Sequence, residues 1–141
     1  MERRAFLKSS CGLCVLAASG LLVGSLAGCS PAAYPVFKTV AVNHKITVPL
    51  ALFEQNALQV ARTKELFFDI AIQKKNNSEY TALLLQCTHQ DNALSPIGNG
   101  YHCSLHGSEF DKNGAVTKGP AEQPLKQYKT SIAGNSLIIH I

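Results

Sequence analysis

CTHQDN at residues 87–92 and CSLHGSEFD at residues 103–111 each carry one cysteine and one histidine. The spacing is Cys-x-His in the first stretch and Cys-x-x-His in the second, giving Cys87, His89, Cys103 and His106. Thiolate and imidazole are good ligands for zinc and iron. Two short loops that each offer one of both would close on a metal as a two-lobed clamp. Two cysteines alone could form a disulfide, but a disulfide needs no histidines, whereas a metal site does. Zinc in a Cys2His2 site tolerates this ligand set, although zinc fingers usually group Cys with Cys and His with His. In a [2Fe-2S] cluster with mixed ligation, one iron takes both cysteines and the other both histidines, so each loop serves each iron. The residues by themselves leave three readings: zinc, an iron–sulfur cluster, or an unfilled scaffold.

Outward from the clamp, the sequence reads as strands. Thirteen residues separate His89 from Cys103, enough for a loop and a hairpin. VFKTVAV and KITVPLALF are apolar runs separated by Asn43-His44; ALQVAR, LFFDIAIQ and EYTALLLQC follow, with the polar turn KKNNSE between the last two. After the second ligand pair come GAV, PLKQYKTSI, the turn AGN and SLIIHI. Short strands at even spacing predict an all-β fold, an antiparallel sandwich or barrel. No convincing capped helical stripe interrupts it, although LALFEQNALQ could form a helical turn. Phe67 and Phe68 are expected in the core or on a sheet face. His44 and His140 stand alone on strand-like segments and are expected to be structural. His102 adjoins Cys103 but should point to the other face of an extended segment.

The 141-residue chain has room for one small domain. Its net charge is +4, and from Cys29 onward ten Lys/Arg face eight Asp/Glu. That balance, with no basic run interleaved with aromatics, argues against a nucleic-acid partner. There is no Gly-rich phosphate loop, and no catalytic nucleophile is assigned.

The first residues read as an address. ERRAFLKSS precedes an uncharged, small-residue-rich run, CGLCVLAASGLLVGSLAG, slightly short of a confident transmembrane span. RRAFLK resembles the twin-arginine export motif. LAGC at residues 26–29 resembles the lipobox of bacterial lipoproteins, which implies cleavage before Cys29 and lipidation of its sulfur. The competing reading is an uncleaved anchor helix. Either way the expectation is an exported protein held to the membrane on its extracytoplasmic side, in a bacterial periplasm or at the cell surface. Residues 1–29 would be the signal, 30–36 a tether and 37–141 the folded domain.

CTH at residues 87–89 and CSLHGSEFD at residues 103–111 resemble the two boxes of the Rieske iron–sulfur family. The resemblance continues through Asp111, Gly114 and GPAEQPL at residues 119–125. It implies a [2Fe-2S] cluster with Cys87 and Cys103 on the buried iron and His89 and His106 on the exposed one. It implies an antiparallel β fold whose cluster-binding subdomain, about residues 85–121, is inserted into a base domain. Ser108, Phe110, Gly119 and Pro120 would surround the cluster.

Three departures from the respiratory pattern bear on mechanism. Respiratory members hold a disulfide between cysteines at the positions of Asn92 and Leu105, so that disulfide cannot form here. They carry a tyrosine at the position of Phe110 that donates to a ligand sulfur, and phenylalanine cannot donate; Ser108 remains to donate to a bridging sulfide. Fewer donors imply a potential within the Rieske span of about −150 to +300 mV but below its upper end. Gln90 replaces the leucine that helps the respiratory tip enter an apolar quinone pocket, which points to a more polar partner.

The function implied is a membrane-anchored electron carrier that exchanges single electrons with redox protein partners. The alternatives are a Rieske subunit of a larger oxidoreductase, of the cytochrome bc type or the small subunit of an oxidase, and a zinc-binding β-domain.

Overall fold

The computed structural model describes residues 34–141. The signal, Cys29 and most of the tether lie outside the described residues. The described part is built from strands β1 (Val36–Lys38), β2 (Ala41–Val42), β3 (Lys45–Pro49), β4 (Leu58–Arg62), β5 (Ile70–Lys74), β6 (Tyr80–Leu84), β7 (Leu94–Ile97), β8 (Gly100–Cys103), β9 (Glu109–Asp111), β10 (Val116–Lys118), β11 (Gln127–Ala133) and β12 (Ser136–His140). One 3-10 turn, Leu50–Phe53, occupies the segment expected to hold a helical turn. Among the described residues no helix is long and apolar enough to cross a membrane.

The strands form an eight-stranded sheet in the order β1-β4-β5-β6-β11-β12-β3-β2 and a four-stranded sheet in the order β10-β9-β8-β7. The four-stranded sheet comes from a continuous stretch of chain between β6 and β11. β11 is shared lengthwise: Gln127 and Tyr128 pair with β6, whereas Lys129 to Ala133 pair with β12.

Alternation explains how the two sheets meet. In β4, β5 and β6 successive side chains point to opposite faces. Ala61, Ile70, Ile72, Ala82 and Leu84 enter one core with Ile46, Val48, Leu137 and Ile139. Val60, Ala71 and Leu83 enter a second core with Leu94, Tyr101, Cys103 and Phe110 of the four-stranded sheet. Both faces are therefore dry, which is why β6 reads YTALL with every residue buried.

Turn chemistry fixes the hairpins. Asn43 and His44 both adopt positive φ, 51° and 58°, in the two-residue turn between β2 and β3. This is the backbone a tight hairpin needs, and asparagine tolerates it better than most side chains. His44 thus belongs to the turn and not to a strand. Asp111 organises the β9–β10 turn: its Oδ1 accepts from the backbone N–H groups of Asn113 at 2.8 Å and Ala115 at 2.9 Å.

The structure corrects three expectations. VFKTVAV is not one strand but two, and β1 runs parallel to β4, whereas the other pairings are antiparallel. LFFDIAIQ contributes only its second half to β5, because Leu66 to Asp69 form the connection into it. Phe67 in that connection is 94% exposed, not a core residue. Its ring packs edge-on with that of Phe68, with centroids 5.0 Å apart. Apolar character recommended Phe67 for burial, but its place in the connection between two paired strands turns it outward.

At Gly100 the backbone of β8 runs against that of β9 with no room for a side chain. A Cβ there would lie 2.1 Å from the Phe110 carbonyl oxygen, so β8 and β9 would have to separate. Gly100→Ala is expected to destabilise the protein by about 1–3 kcal/mol. Thermal or urea unfolding against the parent chain measures it, and an unchanged midpoint would contradict this account.

Candidate metal centre

The first ligand loop joins β6 to β7 and closes on itself. The backbone N–H of Cys87 donates to the Asn92 carbonyl at 2.8 Å, and the Asn92 N–H donates to the Gln90 carbonyl. A bridge between Gln86 and Ala93 seals the base of the loop. The second loop joins β8 to β9. Its Cys103 N–H donates to the Ser108 carbonyl, and the Gly107 N–H donates back to the Cys103 carbonyl, both at 2.9 Å. Gly107 has φ +78°, a backbone that glycine adopts without strain.

The β7–β8 ladder sets the two loops side by side. Its register pairs Leu94, just beyond the first loop, with Cys103, which opens the second. The burial pattern of β8 puts Tyr101 and Cys103 inside and leaves His102 half-buried on the opposite face. His102 therefore stands apart from the ligand pair, as its alternation with Cys103 predicts.

Four residues singled out by the sequence form two pairs. Cys87 and Cys103 are each 1% exposed, and both thiols are free. His89 and His106 are exposed, with ring centroids 4.9 Å apart and planes at 85°. Burial pushes the Cys103 thiol up, but bonds from the Leu105 and His106 backbone, the Asn92 amide and the Cys87 thiol hold it below the ordinary thiol value. Cys103 is thus biased toward the thiolate that binds metal.

A third segment, residues 119–125, braces both loops. The Ala121 N–H donates to Ser108 Oγ at 3.0 Å, and Ser108 is fully buried. Because Ser108 Oγ accepts there, its own hydroxyl proton is left to donate elsewhere. Thr88 Oγ1, between the two ligands of the first loop, donates to the Gln123 carbonyl at 2.6 Å. Gly119 and Pro120, joined by a cis peptide bond, are both exposed; the contact to the second loop comes from the next residue. Phe110 is buried and pairs across the sheet with Tyr101. The Tyr101 phenol is pushed up to about 12, by burial first and by the Asp111 charge second.

Sequence reasoning gave no contact role to Thr88, Ala121 and Gln123, and marked Asn92 only as a position without the respiratory cysteine. Thr88 and Asn92 had a signal, since both lie inside the first ligand loop. Ala121 and Gln123 act through backbone groups, which side-chain identity does not reveal.

At the positions of the respiratory disulfide, Asn92 is half-buried and Leu105 is 54% exposed. The amide nitrogen of Asn92 lies 3.6 Å from Cys103 Sγ.

Known proteins place this arrangement. The chain is 39% identical over 61 residues to the cytochrome b6-f complex iron-sulfur subunit of Chlorobaculum thiosulfatiphilum, covering 42% of this chain and 34% of that protein. It is 28% identical over 107 residues to the mitochondrial cytochrome b-c1 complex subunit Rieske of Gallus gallus, covering 72% of this chain and 37% of that one. The chain thus spans little more than a third of the length of these two relatives. The fold is similar to that of the cyanobacterial plasma membrane Rieske protein PetC3 from Synechocystis PCC 6803, with a TM-score of 0.55 at 24% identity, covering 70% of this chain and 98% of that one. Residues 34–129, which hold both ligand loops and their brace, match the family described as Rieske [2Fe-2S] domain. The chain belongs to the Rieske [2Fe-2S] domain family, and its cofactor is that family's [2Fe-2S] cluster.

Proposed function

We propose that Cys87 and Cys103 bind one iron of the cluster, that His89 and His106 bind the other, and that the chain works as an exported, membrane-anchored one-electron carrier. The observation that carries the ligand assignment is the split of the four side chains into two buried thiols and two exposed, adjacent imidazoles. Two separate pairs suit two irons. Tetrahedral zinc would need all four donors about 2.0–2.3 Å from one point.

When bound, the cluster supplies reversible one-electron oxidation and reduction. The chain's own residues shape that chemistry. The core around Cys87 and Cys103 excludes water from the sulfur side. His89 and His106 present the other side to a partner. Ser108, held by the Ala121 N–H, carries a hydroxyl proton in a dry setting, where a donor to a sulfur counts most. Gln90 is exposed beside His89, which favours a polar docking partner.

RRAFLK and the LAGC sequence ending at Cys29 support export and lipid anchoring. The relative described as a plasma membrane protein is consistent with a membrane location. The relatives named as subunits of cytochrome b6-f and b-c1 complexes support a second reading, a Rieske subunit of a larger oxidoreductase. Co-purification with a larger catalytic chain would favour that second reading.

The purified chain is expected to be red-brown and to show, after dithionite reduction, the electron paramagnetic resonance signal of a mixed-ligand [2Fe-2S] cluster. A colourless protein containing zinc, and refractory to iron and sulfide reconstitution, would overturn the ligand assignment. Cells fed radiolabelled palmitate are expected to label the parent chain but not Cys29→Ala; equal labelling of both would remove the lipid anchor. Phe110→Tyr restores a hydroxyl and is expected to raise the potential by about 20–60 mV, a hydrogen bond of about 0.5–1.5 kcal/mol acting on one electron. Protein-film voltammetry reads that shift, and a lowered potential would contradict the role given to Phe110.

A further inference from the structure

We infer that Asn92 sets the cluster's potential by donating a side-chain N–H to the Cys103 sulfur, occupying with a hydrogen bond the position where respiratory members carry a disulfide. The inference rests on the ligand assignment above and adds a tuning residue to it.

The amide orientation is decided by its neighbours. Asn92 Nδ2 lies 3.3 Å from the Ala93 carbonyl and 3.6 Å from Cys103 Sγ. A carbonyl oxygen can only accept, so the nitrogen end of the amide faces Ala93. One N–H of the same nitrogen then remains for the sulfur. The longer distance suits sulfur, whose radius exceeds that of oxygen.

The backbone holds Asn92 in place independently of its side chain. Its carbonyl accepts from the Cys87 N–H at 2.8 Å and its N–H donates to the Gln90 carbonyl, so the residue is fixed at both ends. Asn92 is half-buried and Cys103 is 1% exposed, so water competes weakly for the sulfur. The contact also links the two ligand loops across eleven positions of sequence.

The sign follows from charge. Reduction adds one electron and makes the cluster more negative. A donor to a ligand sulfur stabilises that state more than the oxidised one and raises the potential. This donor partly offsets the hydroxyl that Phe110 lacks. A residue that merely filled space would act in the opposite direction. Removing it would admit water, and water also favours the more negative state.

Asn92→Leu keeps the size and removes the donor, whereas Asn92→Asp keeps the shape and places a negative charge beside the sulfur. In the full chain, voltammetry is expected to give the highest potential for the parent, a lower one for Asn92→Leu and the lowest for Asn92→Asp, with the mixed-ligand resonance signal retained. An unchanged or raised potential in Asn92→Leu, with its cluster intact, would overturn the inference. Parent protein labelled with 15N in the asparagine amide needs no variant to fold. Pulsed paramagnetic resonance of its reduced form is expected to show a nitrogen coupling from that amide, and its absence would equally overturn the inference. A parent chain with no [2Fe-2S] signal would instead overturn the ligand assignment itself.

Discussion

The pairing of β7 with β8 is the constraint on which the centre depends. It sets Leu94 opposite Cys103, so the end of one ligand loop lies beside the start of the other. Side chains alternate with a period of two, so a slip of one residue would turn Cys103 outward and bring His102 in. Several features protect the register. β9 pairs with the other edge of β8, and Gly100 lets the two backbones meet. Leu94, Tyr101 and Cys103 are all buried against β4, β5 and β6, so a slip would also expose the core of the small sheet.

The larger sheet supplies a surface for that small sheet to rest on. β6 is dry on both faces and runs directly into the first ligand loop, so Cys87 leaves a strand that cannot shift without opening two cores. The loop of residues 119–125 completes the enclosure. It reaches the first loop through Thr88 and the second through Ser108, which makes the centre a junction of three chain segments.

Much of this is legible in the sequence because the carriers are side chains with narrow roles. Cysteine and histidine at fixed spacing mark the loops, Val- and Ile-rich runs mark the strands, and Asn43 marks the hairpin turn. What escapes is set by partners distant along the chain. Nothing in VFK indicates that β1 will lie parallel to β4, since that choice is made across the sheet. Phe67 looks like a core residue until the connection around it is seen. Asn92 reads as a missing cysteine, and only the fold shows its amide beside a sulfur. Ala121 contributes a backbone N–H that every residue except proline has, and Gln123 a carbonyl that every residue has.

The sharing of β11 between two neighbours has a consequence for the order of events during synthesis. Gln127 and Tyr128 must arrive before β6 loses its open edge, and β3 waits for β12, nearly a hundred residues further along. Pairings so distant close late, because loop entropy opposes them until local structure is in place. Both ligand loops have therefore left the ribosome well before the strand that steadies their foundation. The cofactor is best delivered to a finished chain, once the strand that steadies both loops is in place.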